Sequence, residues 1–303
     1  MTEIVVNKNK KRVLIYDKTV PELYQLTEQY NIPKDFLTGI TDPFEIARME
    51  SVETRDGEIN ELIMLQFVVP HTYQNGFKEF KTRAVAMINQ KDTIILASNV
   101  RPEFLEETFK NFEESKTDFE KFVLQVFWRI QCESVRVLRW LHQEIEDMQF
   151  DVEKSSKNQE IYRLMALDKS LAYIQTATQN NRNVLELISN LDQFQNRPSL
   201  KELMHDILVE SYQAESMVDE GMRLIDQLSD LFSNVISNNL NNIMKVLTSI
   251  TIVLTIPTII GGLWGMNVPV PFATHPNGFW ITNGFVVVIS AVTIYWLKKR
   301  DLM

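Results

Sequence analysis

Residues 241–267 read NNIMKVLTSITIVLTIPTIIGGLWGMN, and this stretch decides what kind of molecule the chain is. Val246 to Met266 carries no charged residue, and about 21 apolar residues in a helix span the hydrocarbon core of a bilayer. Phe279 to Leu297 is a second uncharged stretch of about 19 residues, again of spanning length. The loop between them, Asn267 to Gly278, contains no Lys, Arg, Asp or Glu. Lys245 stands just before the first span, and Lys298-Lys299-Arg300 follow the second at once. Cations concentrate on the cytoplasmic side, so both ends are predicted to face the cytoplasm and the loop to face out. Trp264, Trp280 and Trp296 fall near the expected interfaces, where their amphipathic rings belong.

A hairpin of this kind could serve only as an anchor, but the first span is too polar on one side for that alone. Thr248, Thr251, Thr255, Thr258 and Gly262 follow one another at steps of three and four residues. Upstream, the same register passes through Asn241 and Met244. Such spacing puts them all on one helix face. The flanking positions, Ile250, Ile252, Val253, Leu254 and Ile259, are apolar. Hydroxyls in a span also serve ordinary interhelical packing, because threonine bonds its own backbone. Several copies around an axis would instead line a neutral, hydroxyl-rich tube. Two spans in one subunit enclose no water path, so a channel requires oligomerisation.

Upstream of the hairpin the pattern is helical. From Ser199 the first proline is Pro257, and Gly221 is the only glycine before Gly261. A helix continuous to Trp264 would be roughly 100 Å long, which suits a stalk entering a membrane rather than a globular core. Phe119, Phe122, Val126, Ile130, Val137, Leu141, Ile145 and Met148 form one apolar stripe. Ile161, Leu164, Leu167, Leu171 and Ile174 begin another that runs to about Phe194. The two helices are expected to form an antiparallel hairpin, broken at Asn196-Arg197-Pro198, with Ser199 capping the next helix.

The first hundred residues are mixed. Arg12 to Tyr16 is a short β-like run, and Pro21 to Tyr30 reads as a helix. Glu45–Thr54 and Ile59–Val69 flank Asp56-Gly57, a hairpin signal, while Lys91-Asp92 splits Phe80–Ile88 from Thr93–Ala97. The fold class is therefore α+β. It comprises an N-terminal α/β cytoplasmic domain (1–115), a long helical hairpin (116–197), a stalk helix (198–245) and a membrane hairpin (246–303).

Composition narrows the function. The chain carries 40 acidic against 31 basic residues, a net charge of −9, which argues against nucleic acid as a partner. Cys132 is the only cysteine, so neither an intrachain disulfide nor a two-cysteine zinc site exists. Met1 to Lys18 has no long apolar core of the kind a signal peptide needs. Four scattered histidines and the lone cysteine offer no active site, so no enzyme activity is expected. There is no G-x-x-x-x-G-K-[ST], which leaves ATP coupling without support and calls for no organic cofactor.

At Gly265-Met266-Asn267, placed just after the first span and behind a long stalk, the chain resembles the CorA magnesium transporters. Asn241 to Thr248 also looks like that family's junction between stalk and pore. The resemblance extends over essentially the full length and is most specific at residues 241–267. It implies a homopentamer with a funnel-shaped cytoplasmic part, in which first spans line the pore and second spans surround them. Asn267 would form an outer ring of amide oxygens for hydrated Mg²⁺, an ion that gives up water reluctantly. Gly265 would let the backbone turn there. Asn241, Thr248, Thr251, Thr255 and Thr258 would line the pore, and Met244 and Leu247 match a hydrophobic gate. Pro257 is a candidate hinge.

In that family, acidic residues between neighbouring subunits bind regulatory Mg²⁺. Asp206 matches the stalk position of the sensor, and Asp230 matches a second stalk acid. The N-terminal partner has no direct counterpart: counting without gaps lands on Gly39, and Asp42 is the nearest acid. Glu202, Glu210, Asp219, Glu220 and Asp226 read as the solvated face of the stalk. Two further departures lie at the mouth. Trp264 stands where Tyr is usual, and the loop from Val268 to His275 lacks the family's frequent acid. His275 reads as a loop residue rather than a ligand. Expected cargo is Mg²⁺, with Co²⁺ or Ni²⁺ also admitted. The alternatives are Zn²⁺, as in the related ZntB branch, and a non-conducting scaffold. The expected location is the bacterial cytoplasmic membrane.

Overall fold

A computed structural model of the chain describes residues 2–6, 11–53, 59–72, 76–110, 119–152, 158–272, 274–300 and 302. The chain divides into two compact units, Met1–Ser229 and Asp230–Met303.

The first unit is built on strands whose alternate side chains are buried on opposite faces. In β2 (Lys11–Tyr16), Val13 and Ile15 enter one core while Leu14 and Tyr16 enter another. A strand covered on both faces needs apolar residues throughout, so it reads as a continuous run rather than an alternation. Six strands form one sheet in the order β1-β2-β6-β5-β4-β3. They are β1 (Thr2–Val6), β2, β3 (Arg48–Glu53), β4 (Ile59–Thr72), β5 (Lys78–Asn89) and β6 (Thr93–Ser98). The pairs β3–β4 and β5–β6 are antiparallel, as the turn signals beside them predict, and β4–β5 is antiparallel too. Asp56-Gly57 itself lies outside the described residues. The parallel pairing of β2 with β6 attaches the antiparallel β1–β2 pair to the β6 end of the β3–β6 meander, a long-range neighbour relation that local patterns do not encode.

Helices cover both faces. On one, α1 (Val20–Tyr30) and α2 (Lys34–Thr38) bring Leu23, Phe36 and Leu37 onto Val13, Leu62, Ala86 and Ile95. Glu22 secures the start of α1 by accepting from the Thr19 backbone N–H (2.8 Å) and hydroxyl (2.9 Å). The opposite face packs on α3 (Glu103–Lys110), α4 (Phe119–Val152), α5 (Asn158–Ser189) and the start of α7 (Pro198–Trp264). Phe122 and Val126 at the start of α4 share this core with Val184 and Ile188 near the end of α5. Toward the other end of the pair, Arg163 bonds Glu144 at 2.8 Å. The two helices are therefore antiparallel.

Two details differ from the sequence expectation. The second long helix stops at Ser189 rather than near Phe194, which belongs to a separate short turn, α6 (Asp192–Gln195). Pro198 opens α7, so Ser199 is a helical residue and not its cap. Proline suits a first helical position because the N–H it lacks would have no partner there.

In the second unit α7 runs to Trp264 without interruption at Pro257, and α8 spans Gly278–Lys299. Both contain windows long and apolar enough to cross a membrane, and those windows are almost nowhere buried within the chain. A core helix of a water-soluble protein would be covered.

Candidate functional site

The hydroxyl stripe is present on α7 as an exposed face. Thr251 Oγ1 donates to the Leu247 carbonyl (2.8 Å), Thr255 Oγ1 to Thr251 (2.7 Å) and Thr258 Oγ1 to Leu254 (3.0 Å). Each hydroxyl proton is thereby spent on the backbone, and the oxygen lone pairs remain for an outside donor. Waters around a cation turn their hydrogens outward, so a face of acceptors is what a hydrated cation requires. Thr282 and Thr293 on α8 make the same backbone bond. What sets α7 apart is the continuity of the row, with Thr248 and Asn241 exposed further along it. Met244 and Leu247 are exposed as well, at 58% and 57%.

The row ends in the last turn of α7. Gly265 N–H donates to Gly261 at 3.0 Å and Met266 N–H to Leu263 at 3.4 Å, and Asn267 follows with its side chain exposed. Glycine at 265 was expected for its conformational freedom. Here, however, the turn forms without left-handed backbone at that residue, and a Cβ would sit at an ordinary 3.4 Å from the Gly261 carbonyl.

The glycine that the loop requires is Gly278. A Cβ there would collide with the Phe272 carbonyl oxygen and touch the Trp264 ring at 3.4 Å. Phe272 itself adopts a left-handed conformation (φ 62°). Its carbonyl accepts from His275 N–H at 3.0 Å, and His275 accepts twice in turn, at Nδ1 from Asn277 N–H (3.1 Å) and at its carbonyl from Gly278 N–H (2.9 Å). His275 is thus a turn residue. The only sequence trace of this closure is the turn-like string Pro276-Asn277-Gly278.

The acidic residues are dispersed. Asp206 is exposed on α7 in the first unit, and Asp230 is exposed at the start of the second. Asp42 follows a 3₁₀ turn (Gly39–Thr41), where its Oδ1 accepts from Phe44 N–H at 2.9 Å. Among the described residues, no group of three or more His, Cys, Asp or Glu is placed to hold a metal. The space over Gly39 is filled by the Glu45 carboxylate, which would clash with any Cβ and is paired with Arg48. Glu45 gave no signal in the sequence. Asp226, read there as merely solvated, lies within electrostatic reach of Asp168 on α5. Burial, with Asp226's charge added, raises the Asp168 pKa above the usual carboxylate value.

A profile of the CorA-like Mg²⁺ transporter protein family matches residues 13–299. The chain belongs to this family. A relative is the cobalt/magnesium transport protein CorA of Methanocaldococcus jannaschii, 23% identical over 296 residues, covering 94% of this chain and 88% of that protein. The solved structure of the CorA magnesium transporter from that organism superposes with a TM-score of 0.76 at 21% identity, over 97% of this chain and 92% of the other. Full-length CmaX shares the fold at a TM-score of 0.67 and 14% identity, over 97% and 90%. The cytoplasmic domain of ZntB from Vibrio parahaemolyticus does so at 0.54 and 10%, over 77% and 88%. The CorA architecture, with its mixed sheet domain, long helices and two C-terminal apolar helices, is thus the architecture of this chain.

Proposed function

We propose that this CorA-family divalent-cation transporter is a homopentameric channel that admits Mg²⁺ into the bacterial cell, with Co²⁺ and Ni²⁺ as further cargo. The observation that carries the reading is the exposed acceptor row Thr248, Thr251, Thr255 and Thr258, leading straight into Gly265-Met266-Asn267. Asn267 receives the hydrated ion at the outer mouth, with Gly265 and Met266 shaping the turn. The threonines and Asn241 accept hydrogen bonds from the ion's waters on its way through. Neutral oxygens spare the ion full dehydration. They also discriminate weakly among hydrated ions of similar size.

The driving force is electrical. A divalent cation gains about 4.6 kcal/mol per 100 mV of inside-negative potential, twice the single-charge figure. Sidedness follows from Lys245 and Lys298-Lys299-Arg300, which put both termini in the cytoplasm. The sheet domain (1–115), helical hairpin (116–197) and stalk (198–245) then lie inside, and residues 246–303 form the membrane hairpin.

Met244 and Leu247 form the gate, closing when copies of these apolar side chains meet and exclude water. Mg²⁺ is regulator as well as cargo. Bound between Asp206 of one subunit and the Asp42 region of the next, with Asp230 as a further stalk acid, it neutralises like charges and favours the closed assembly. A Zn²⁺ transporter is the second reading, because the uncharged loop 268–278 lacks the acidic residue frequent at the family's mouth.

The test is cation uptake into proteoliposomes under an inside-negative potential, with internal Mg²⁺ removed. Mg²⁺ flux is expected. Zn²⁺ flux without Mg²⁺ flux would replace the first reading with the second, and no flux of either would leave an anchored scaffold.

A further inference from the structure

Among residues 241–264 of α7, Ser249 alone is buried, at 1% exposure. Its hydroxyl donates to the carbonyl of Leu302, beyond the end of α8. The chain returns to reach it: Arg300 N–H and Leu302 N–H both donate to the carbonyl of the fully buried Leu297, each at 3.1 Å. Lys245 lies four residues before Ser249 and so on the same face of α7. It is half-buried, whereas Met244, Val246 and Leu247 are exposed. The clamp therefore holds the chain just beyond Lys298, Lys299 and Arg300 one helical turn along α7 from Lys245.

Four like charges are gathered in this way at one end of two apolar helices. Among the described residues none of the four has a carboxylate partner. The Arg300 guanidinium lies 5.7 Å from the Trp296 ring, and Tyr295, Trp296 and Val292 are exposed beside it. Like charges held together at the edge of a low-dielectric region repel, and a structure that fixes them there calls for a counter-charge. Cations flanked by exposed aromatic and apolar surface match a phosphate that carries its own hydrocarbon.

We propose that Lys245, Lys298, Lys299 and Arg300 form a headgroup site for an anionic phospholipid, with Ser249 as the residue that positions the tail. The proposal rests on reading α7 and α8 as membrane spans. Through Ser249, occupancy of the site bears directly on the helix that carries the threonine row.

The experiment titrates the purified full chain in detergent with dioctanoyl phosphatidylglycerol, dioctanoyl phosphatidylcholine and inorganic phosphate. Thermal unfolding and lipid retention in native mass spectrometry are the readouts. Phosphatidylglycerol should bind saturably and raise the unfolding temperature, while the other two should not. Exchanging the exposed cations in K298Q/K299Q/R300Q should weaken binding by about fivefold for each charge removed. Ser249→Ala, which keeps every charge, should weaken it too. Equal effects of phosphatidylglycerol and phosphatidylcholine, or undiminished affinity in the triple variant, would overturn the site. A phosphate response equal to the lipid's would overturn the lipid assignment. Because binding is the readout, a chain that binds the lipid yet conducts no Mg²⁺ would refute the channel reading alone.

Discussion

The Asn181 carboxamide holds the backbone of Gln66 by both hands: its Oδ1 accepts from Gln66 N–H at 2.8 Å, and its Nδ2 donates to Gln66 C=O at 2.7 Å. β3 pairs with β4 only as far as Met64, so that edge of β4 has no strand beside it at Gln66. Asn181 on α5 stands in for the absent strand. On β5, Ser170 Oγ does the same for Phe80 N–H at 2.9 Å. The next residue along α5, Arg182, bonds Glu215 of α7 at 2.7 Å, so α5 ties the sheet to the stalk.

Asn181→Leu would leave two buried backbone groups without partners, a cost of about 3 kcal/mol. Thermal unfolding of the purified chain should show a clear fall in midpoint, and Asn180→Leu, at a half-buried neighbour, a smaller one. Equal midpoints for native and Asn181→Leu proteins would show that the clamp does not hold the two elements together.

The threonine row makes a chemical prediction. Thr255→Val keeps the shape and removes the acceptor, whereas Thr255→Ser keeps the acceptor. One lost hydrogen bond of about 1.4 kcal/mol at the barrier lowers a rate roughly tenfold. Mg²⁺ flux should fall by at least that much in the valine variant and hold within about twofold in the serine variant. Equal flux in both would make the row a packing surface.

At the outer loop, Gly278→Ala should disturb the mouth, because the new methyl meets the Phe272 carbonyl. Gly284→Ala enters open space on α8 and serves as the control. Reduced uptake is expected for the first and native uptake for the second. The closure would be irrelevant to transport if both conducted normally.

Asp206→Ala removes the stalk half of the proposed sensor. Mg²⁺ should then protect the oligomer from protease only at higher concentration, or not at all. Unchanged Mg²⁺-dependent protection would remove Asp206 from the sensor.

The membrane hairpin was legible because an uncharged run of spanning length followed by cations has few physical readings. Strands β2, β4 and β6 were legible for a similar reason, since two buried faces demand long apolar runs, whereas β3 (RMESVE), with no buried residue, showed only through the Asp56-Gly57 turn signal beside it. Asn181 and Ser170 were not, because a polar residue on a helix looks solvated until the unpaired strand edge facing it is known. The parallel β2–β6 contact joins Val13 to Ile95 across most of the sheet domain, beyond the reach of any local pattern. Asp42 and Asp206 were proposed from resemblance alone. The residue that crowds Gly39, Glu45, had to be seen in three dimensions.

The most direct test of the central claim compares Mg²⁺ uptake by proteoliposomes bearing the native chain with uptake by those bearing Asn267→Ala, under an imposed inside-negative potential and with internal Mg²⁺ removed. Flux is expected for the native chain and its loss in the variant, with the oligomer intact by size-exclusion chromatography. Undiminished flux through Asn267→Ala would contradict an entrance at this ring, and an inactive native chain would contradict the magnesium channel itself.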